Sequence, residues 1–305
     1  ELQVDYIDYY LLHSIGGGGM DNLKARFLDN RLLDFRLSER QAGRIKHLGF
    51  SYHGDVTQFD YLLDNNDKYH WDFVQIQMNY LDWYNASEIS DENVNASYLY
   101  DELDKRGIPV VIMEPLLGGR LSKLNSNVLS MLKTREPERT AASWAFRFCA
   151  TYPRVLTALS GMTYMEHLED NLSALCPFKP LTEDELTFLQ DEVAREILKY
   201  PTIPCTACQY CMPCPYGLDI PGIFAHYNKC INDGRLPVEG DPEYRKLRRD
   251  FLIGYDRSVP RLRQADHCVE CCICIDHCPQ NIEIPTRMHE IDDFVEKMKL
   301  EAPTI

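Results

Sequence analysis

At 305 residues the chain is long enough for two domains, and its net charge of −15 argues against nucleic acid or an anionic membrane surface as a partner. No apolar run approaches the length that spans a bilayer. Twelve cysteines without a secreted disulfide pattern point to a reducing, cytoplasmic compartment.

In chain order, Val4 to Leu12 reads as a strand, Arg31 to Lys46 as helical, Leu48 to Ser51 as a strand and Val56 to Asn65 as helical. Phe73 to Met78, Val110 to Met113 and Val155 to Leu159 are further strands, with helical patterns at Ala96 to Arg106, Thr140 to Thr151 and Tyr164 to Leu175. Nearly continuous Val, Ile and Leu strands separated by helices predict an α/β fold with a parallel sheet covered on its faces, built from five strand–helix units. The run Gly16 to Gly19 lacks the Gly-Lys-Ser/Thr of a phosphate loop, so it is predicted as a flexible strand-to-helix loop.

Residues 182 to 199 form one helix, with Thr182 and Glu185 as a capping box ahead of Leu186, Leu189 and Val193. Lys199-Tyr-Pro-Thr-Ile-Pro204 breaks it and sets a boundary near 200. The expected organisation is a first domain over 1–180, a connecting helix and linker over 181–203 and a second, helix-rich domain over 204–305.

That second domain carries two cysteine runs, Cys205, Cys208, Cys211 and Cys214, then Cys268, Cys271, Cys274 and Cys278, each closed by a proline. The second run has the spacing of two-cluster ferredoxins, in which the fourth cysteine ligates the other cluster; the first is one residue shorter before its last cysteine. Two [4Fe-4S] clusters are expected, one on Cys205, Cys208, Cys211 and Cys278, the other on Cys268, Cys271, Cys274 and Cys214. Paired C-x2-C also builds zinc sites, but zinc does not require the third close cysteine or the proline. Cys149, Cys176, Cys230 and Cys272 read as buried or idle thiols, with Cys272, beside Cys271, as the alternative ligand in a shifted register. Both runs continue alike, Leu218-Asp219-Ile220-Pro221 after the first and Ile282-Glu283-Ile284-Pro285 after the second, each leading into a helical pattern, Gly222 to Asn228 and Thr286 to Met298.

Four segments of the first domain carry a resemblance: Asp5-Tyr-Ile-Asp-Tyr-Tyr-Leu-Leu-His13, Gly43-Arg-Ile-Lys-His-Leu-Gly-Phe-Ser51, Glu114-Pro-Leu-Leu-Gly-Gly-Arg-Leu121, and Leu159-Ser-Gly-Met162 with Leu168-Glu-Asp-Asn171. With the cysteine runs, the chain resembles the aldo/keto reductase family in its branch with a C-terminal two-cluster ferredoxin-type domain. The resemblance implies a (β/α)8 TIM barrel with its site at the C-terminal strand ends. It also implies NAD(P)H-dependent carbonyl and alcohol chemistry on a small substrate, with NADP(H) or NAD(H) as cofactor.

Residue by residue, the resemblance makes His13 the catalytic histidine that hydrogen-bonds a substrate carbonyl. It sets Ser51 and Gln75 on the nicotinamide carboxamide, although the family's Asn after the serine is Tyr52 here, and Met113 over the nicotinamide face. Pro115, Leu116, Gly118 and Gly119 would pass the pyrophosphate. Ser160, Gly161 and Met162 would form an anion site before the last helix, with His167, Asp170 and Asn171 toward the adenosine.

The family's catalytic Asp, Tyr and Lys have no counterpart in this sequence, and five units fall short of the eight of a closed barrel. The expectation is therefore an N-terminally truncated form, an incomplete barrel of five units that lacks reductase activity by itself. The alternative is an electron-transfer module that docks a redox partner protein through its clusters, with the barrel as a non-catalytic body. A hydride carries two electrons together and each cluster moves one, and no flavin fingerprint bridges the two. The Arg- and Lys-rich stretch from Arg245 to Arg263 is a candidate surface for an acidic partner.

Overall fold

The computed structural model describes residues 3–88 and 93–300. It divides into two compact units, one of Glu1–Leu117 with Glu138–Ala194, the other of Gly118–Pro137 with Arg195–Ile305.

The first unit is built on a five-stranded parallel sheet in sequential order, β1 (Ile7–Ile15), β2 (Ile45–Tyr52), β3 (Phe73–Gln77), β4 (Val110–Met113) and β5 (Val155–Ala158). Each adjacent pair is parallel because a helix returns the chain between strands: Leu32–Gln41, Val56–Asp64, Ala96–Lys105 and Ala141–Thr151, with Met165–Leu175 after β5. The central strands are apolar on both faces, and all of Val110 to Met113 is buried. The outer strands are not, for Tyr9 on β1 is 55 % exposed and Leu156 on β5 is 54 % exposed.

The expected helix from Arg31 to Lys46 ends at Gln41, because Gly43 takes a left-handed φ of 75° and the chain turns into β2 at Ile45. The expected strand from Leu48 is thus three residues longer at its start. The glycine run is only partly a loop, since a helix begins at Gly19. Gly16 is required by close approach: at φ 128°, a Cβ there would lie 2.3 Å from the carbonyl carbon of His53. The helix over residues 183–198 has the expected capping box and passes through a π segment at Phe188–Val193.

The second unit is helical. Ser126–Arg135, which the sequence reading did not mark, joins Ile220–Asn232, Tyr244–Ser258 and Ile284–Leu300. Its core gathers Ile203, Leu218, Ile220, Phe224, Phe251, Tyr255, Ile282, Ile284 and Met288. Asn228 grips both the amide and the carbonyl of Ile203 at 2.8 and 2.6 Å, fixing the segment that enters the first cysteine run. Asn127 donates to the Tyr200 hydroxyl at 2.8 Å. Among the described residues, no helix is long and apolar enough to cross a membrane.

Candidate functional site

Parallel strands share a direction, so their C-terminal ends form one rim; His13, Ser51 and Met113 lie toward that rim on β1, β2 and β4, and Gln75 lies mid-strand on β3. Ser51 is paired in register with Gln75 across β2 and β3. The Gln75 amide nitrogen lies 3.3 Å from the Met113 sulfur. At the end of β1 the pairing shifts between Leu12 and Ile15, and Ser14 adopts a left-handed φ of 53°. An irregularity of this kind re-aims a side chain next to a site. Here it turns the amide of Ser14 onto the Ser51 hydroxyl at 2.8 Å, with His13 alongside and exposed.

Two neighbours escaped the sequence reading. Arg26 donates to the carbonyls of Ser14 at 2.9 Å and His13 at 3.2 Å, clamping the irregular end of β1 from the helix that follows. His53 comes close to His13, and burial, with His13 adding to it, pushes its pKa down to about 4, so its ring is neutral at physiological pH. Neither residue had a motif to signal it; only the spacing of arginine one helical segment after a strand end hinted at Arg26.

After β4 the chain enters Glu114 and Leu117 with left-handed φ values of 55° and 48°. Asn79, fully buried, donates to the Glu114 carbonyl at 3.2 Å and to Asp82 at 2.7 Å, so it braces the turn into Pro115 and Leu116. Gly118 and Gly119 belong to the second unit. Beyond β5, Asn171 donates to the Ser160 hydroxyl at 2.9 Å and Thr140 donates to Asp170 at 2.6 Å. His167 accepts the amide of Thr163 at 3.2 Å. Gly161 and Met162 are exposed ahead of the helix Met165–Leu175, whose N-cap Tyr164 supplies no side-chain cap.

In the second unit the cysteines separate into two cavities. The first is lined by Cys205, Cys208, Cys211 and Cys278, with Phe224 and Pro221. The second is lined by Cys268, Cys271, Cys274 and Cys214, with Cys272, Met288 and Pro285. Ile220 and Ile284 line both. The two runs also share a backbone path: Ala207 and Gln209 on either side of Cys208 have φ 55° and 66°, and Glu270 and Cys272 on either side of Cys271 have 53° and 60°. This places the amide of Ala207 3.4 Å from the Cys205 sulfur, and the amide of Glu270 likewise bonds Cys268. The Cys272 thiol instead donates to the Glu270 carbonyl at 3.3 Å. Burial, then the neighbouring thiols, raise Cys211 to about 11; burial also raises Cys274 to about 12. Among the described residues, no three His, Cys, Asp or Glu side chains converge as ligands of a single metal ion.

Against known families, the model of the aldo/keto reductase family matches residues 1–191. The chain belongs to the aldo/keto reductase family. The match ends before the first cysteine run, so it covers the sheet, its helices and the first part of the helix over residues 183–198. No curated protein matches the chain. Among solved structures, the chain is similar to the aldo-keto reductase AKR11C1 from Bacillus halodurans in its holo form, at 20 % identity and a TM-score of 0.46, over 63 % of this chain and 62 % of that one. An aldo-keto reductase from Klebsiella pneumoniae in complex with NADPH gives 22 % identity and a TM-score of 0.47, over 63 % and 60 %. The chain thus spans about three fifths of the length of these structures.

In this aldo/keto reductase chain, the rim of β1 to β4 can present a hydrogen-bond donor at His13 beside a hydroxyl at Ser51. That hydroxyl keeps its own proton to donate, because its oxygen already accepts from Ser14.

Proposed function

We propose that the chain is part of an NAD(P)H-dependent oxidoreductase of aldo/keto reductase type, acting on a small carbonyl or alcohol, with two [4Fe-4S] clusters for electron transfer. The observation that carries the reading is the Ser14–Ser51 bond, which holds the candidate catalytic His13 next to a hydroxyl suited to a carboxamide. A bound nicotinamide nucleotide would supply the hydride. His13 then orients the carbonyl oxygen, Ser51 and Gln75 hold the carboxamide, Met113 covers the ring face, and the amides of 160–162 meet a phosphate. The proton that neutralises the developing alkoxide has no donor among these residues. In this reading it would come from further barrel elements, since among the described residues β1 and β5 edge the sheet and carry exposed apolar side chains. The five strands, taken alone, are an incomplete (β/α)8 barrel without turnover.

The cysteine sets fit the clusters. Soft thiols line two cavities with apolar walls, and backbone amides reach the sulfurs of Cys205 and Cys268. Convergence on one point is what a single ion demands; a four-iron cube asks for four sulfurs spread around a cavity. A second reading, a one-electron module that docks a redox partner, is favoured by the wall of Ile220 and Ile284 common to both cavities, since clusters bound in the two would be neighbours.

The deciding experiment uses the full-length protein, prepared anaerobically. Oxidation of NADPH with simple aldehydes that survives Cys205→Ser and Cys268→Ser supports the reductase. Turnover that needs an external one-electron donor and is lost with the cysteines supports the module. Zinc without iron by metal analysis and EPR would overturn the cluster assignment.

A further inference from the structure

We propose that Gly118 is a positioning residue for the first cluster's loop. Gly118 has φ 63°, and a Cβ there would lie 2.3 Å from the Cα of Thr206, 2.6 Å from its Cβ and 2.7 Å from its carbonyl oxygen. Two backbones therefore lie in direct apposition, which only glycine permits. Thr206 is the residue after Cys205, and it lines the first cavity with Cys205, Cys208, Cys211 and Cys278. Its hydroxyl is buried and makes no hydrogen bond, so packing against Gly118 rather than a polar contact fixes its place. From Thr206 the loop runs through left-handed Ala207 to Cys208 and left-handed Gln209. Such a path has little freedom to absorb a displacement, so a shift at Thr206 moves the sulfurs of Cys205 and Cys208.

The second loop is built the same way but lacks the contact. Val269 stands where Thr206 does, one residue after the first cysteine of its run, and is 55 % exposed. The neighbour Gly119 is likewise left-handed at φ 90°, yet a Cβ there meets only the Ser122 hydroxyl at 3.8 Å. Gly118 thus acts on one cluster of the two. The inference rests on the cluster reading proposed above, and both Gly118 and Thr206 belong to the second unit.

The test is Gly118→Ala in full-length, anaerobically prepared protein, with Gly119→Ala as its partner variant. The expected result for Gly118→Ala is iron falling from about eight per chain toward about four, with one EPR signal of the reduced protein lost or shifted and the other kept. Gly119→Ala keeps both signals. Retention of both signals and full iron in Gly118→Ala overturns the proposal. If Gly118→Ala is insoluble, Thr206→Gly decides: removal of the packed side chain loosens the first cluster selectively, and an unchanged spectrum overturns the assignment.

Discussion

The amide of Ser14 is bound at 2.8 Å by the hydroxyl of Ser51, a side chain only 1 % exposed, and this bond ties the irregular end of β1 to β2 beside His13. Ser51→Ala leaves that amide without its partner in a part-buried place. The expected cost is about 1–3 kcal/mol of stability, together with weaker nucleotide binding. Denaturant unfolding and a fluorescence titration with NADP+ measure the two effects, and unchanged stability would show that water or another group replaces the hydroxyl.

Cys214 lines the cavity of the second run and Cys278 that of the first. With the proposed clusters bound, Cys214→Ser should therefore alter the one assigned to Cys268, Cys271 and Cys274, and Cys278→Ser the one assigned to Cys205, Cys208 and Cys211. Combining each with Cys205→Ser and comparing reduced EPR spectra checks this. If Cys214→Ser and Cys205→Ser disturb the same signal, the exchange between runs is wrong.

His53 titrates near its ordinary 6.5 in the unfolded chain, while burial, and to a lesser degree His13, hold it at about 4 in the fold. Between these values the unfolded chain binds the extra proton. The stability this contributes is complete above about pH 6.5 and is lost as pH falls toward 4. Urea unfolding from pH 7.5 to 4.5 should show this slope in wild type and a shallower one in His53→Gln; identical slopes would exclude His53 as its source.

Thr182 caps the helix over residues 183–198 by accepting the Glu185 amide at 3.3 Å, while Glu185 accepts the Thr182 amide at 2.7 Å. Thr182→Ala is expected to cost about 0.5–2 kcal/mol, read as a lower melting temperature with no change in iron content.

Asn79→Ala should free the left-handed turn at Glu114, which the buried amide braces at 3.2 Å. Both stability and nucleotide affinity should fall. A loss of stability alone would separate the brace from the proposed cofactor loop.

Local chemistry made much of this legible. The helices from Val56, Ala96, Ala141 and Met165 and the strand Val110–Met113 lie within a residue or two of where their caps and apolar runs put them. The helix Ser126–Arg135 carries its own local signals, the Asn125 cap at its start and Pro137 just past its end, and the helix that ends at Gln41 stops short of the apolar pattern because Gly43 turns left-handed. At the site, His13, Ser51 and Gln75 were visible through motif resemblance, whereas Arg26 and His53 gain their places only through contacts with residues distant in the chain or across β1 and β2.

By itself the sequence determined the alternation of strands and helices and the two cysteine runs, because periodicity, caps and ligand spacing are local properties carried by neighbouring residues. Only the tertiary structure decided that Ile220 and Ile284 form a common wall, that Ser14 turns back onto Ser51, and that Gly118 lies against Thr206. Each of these joins groups from separate segments. Their apposition is set by how apolar faces pack, which no stretch of residues specifies alone.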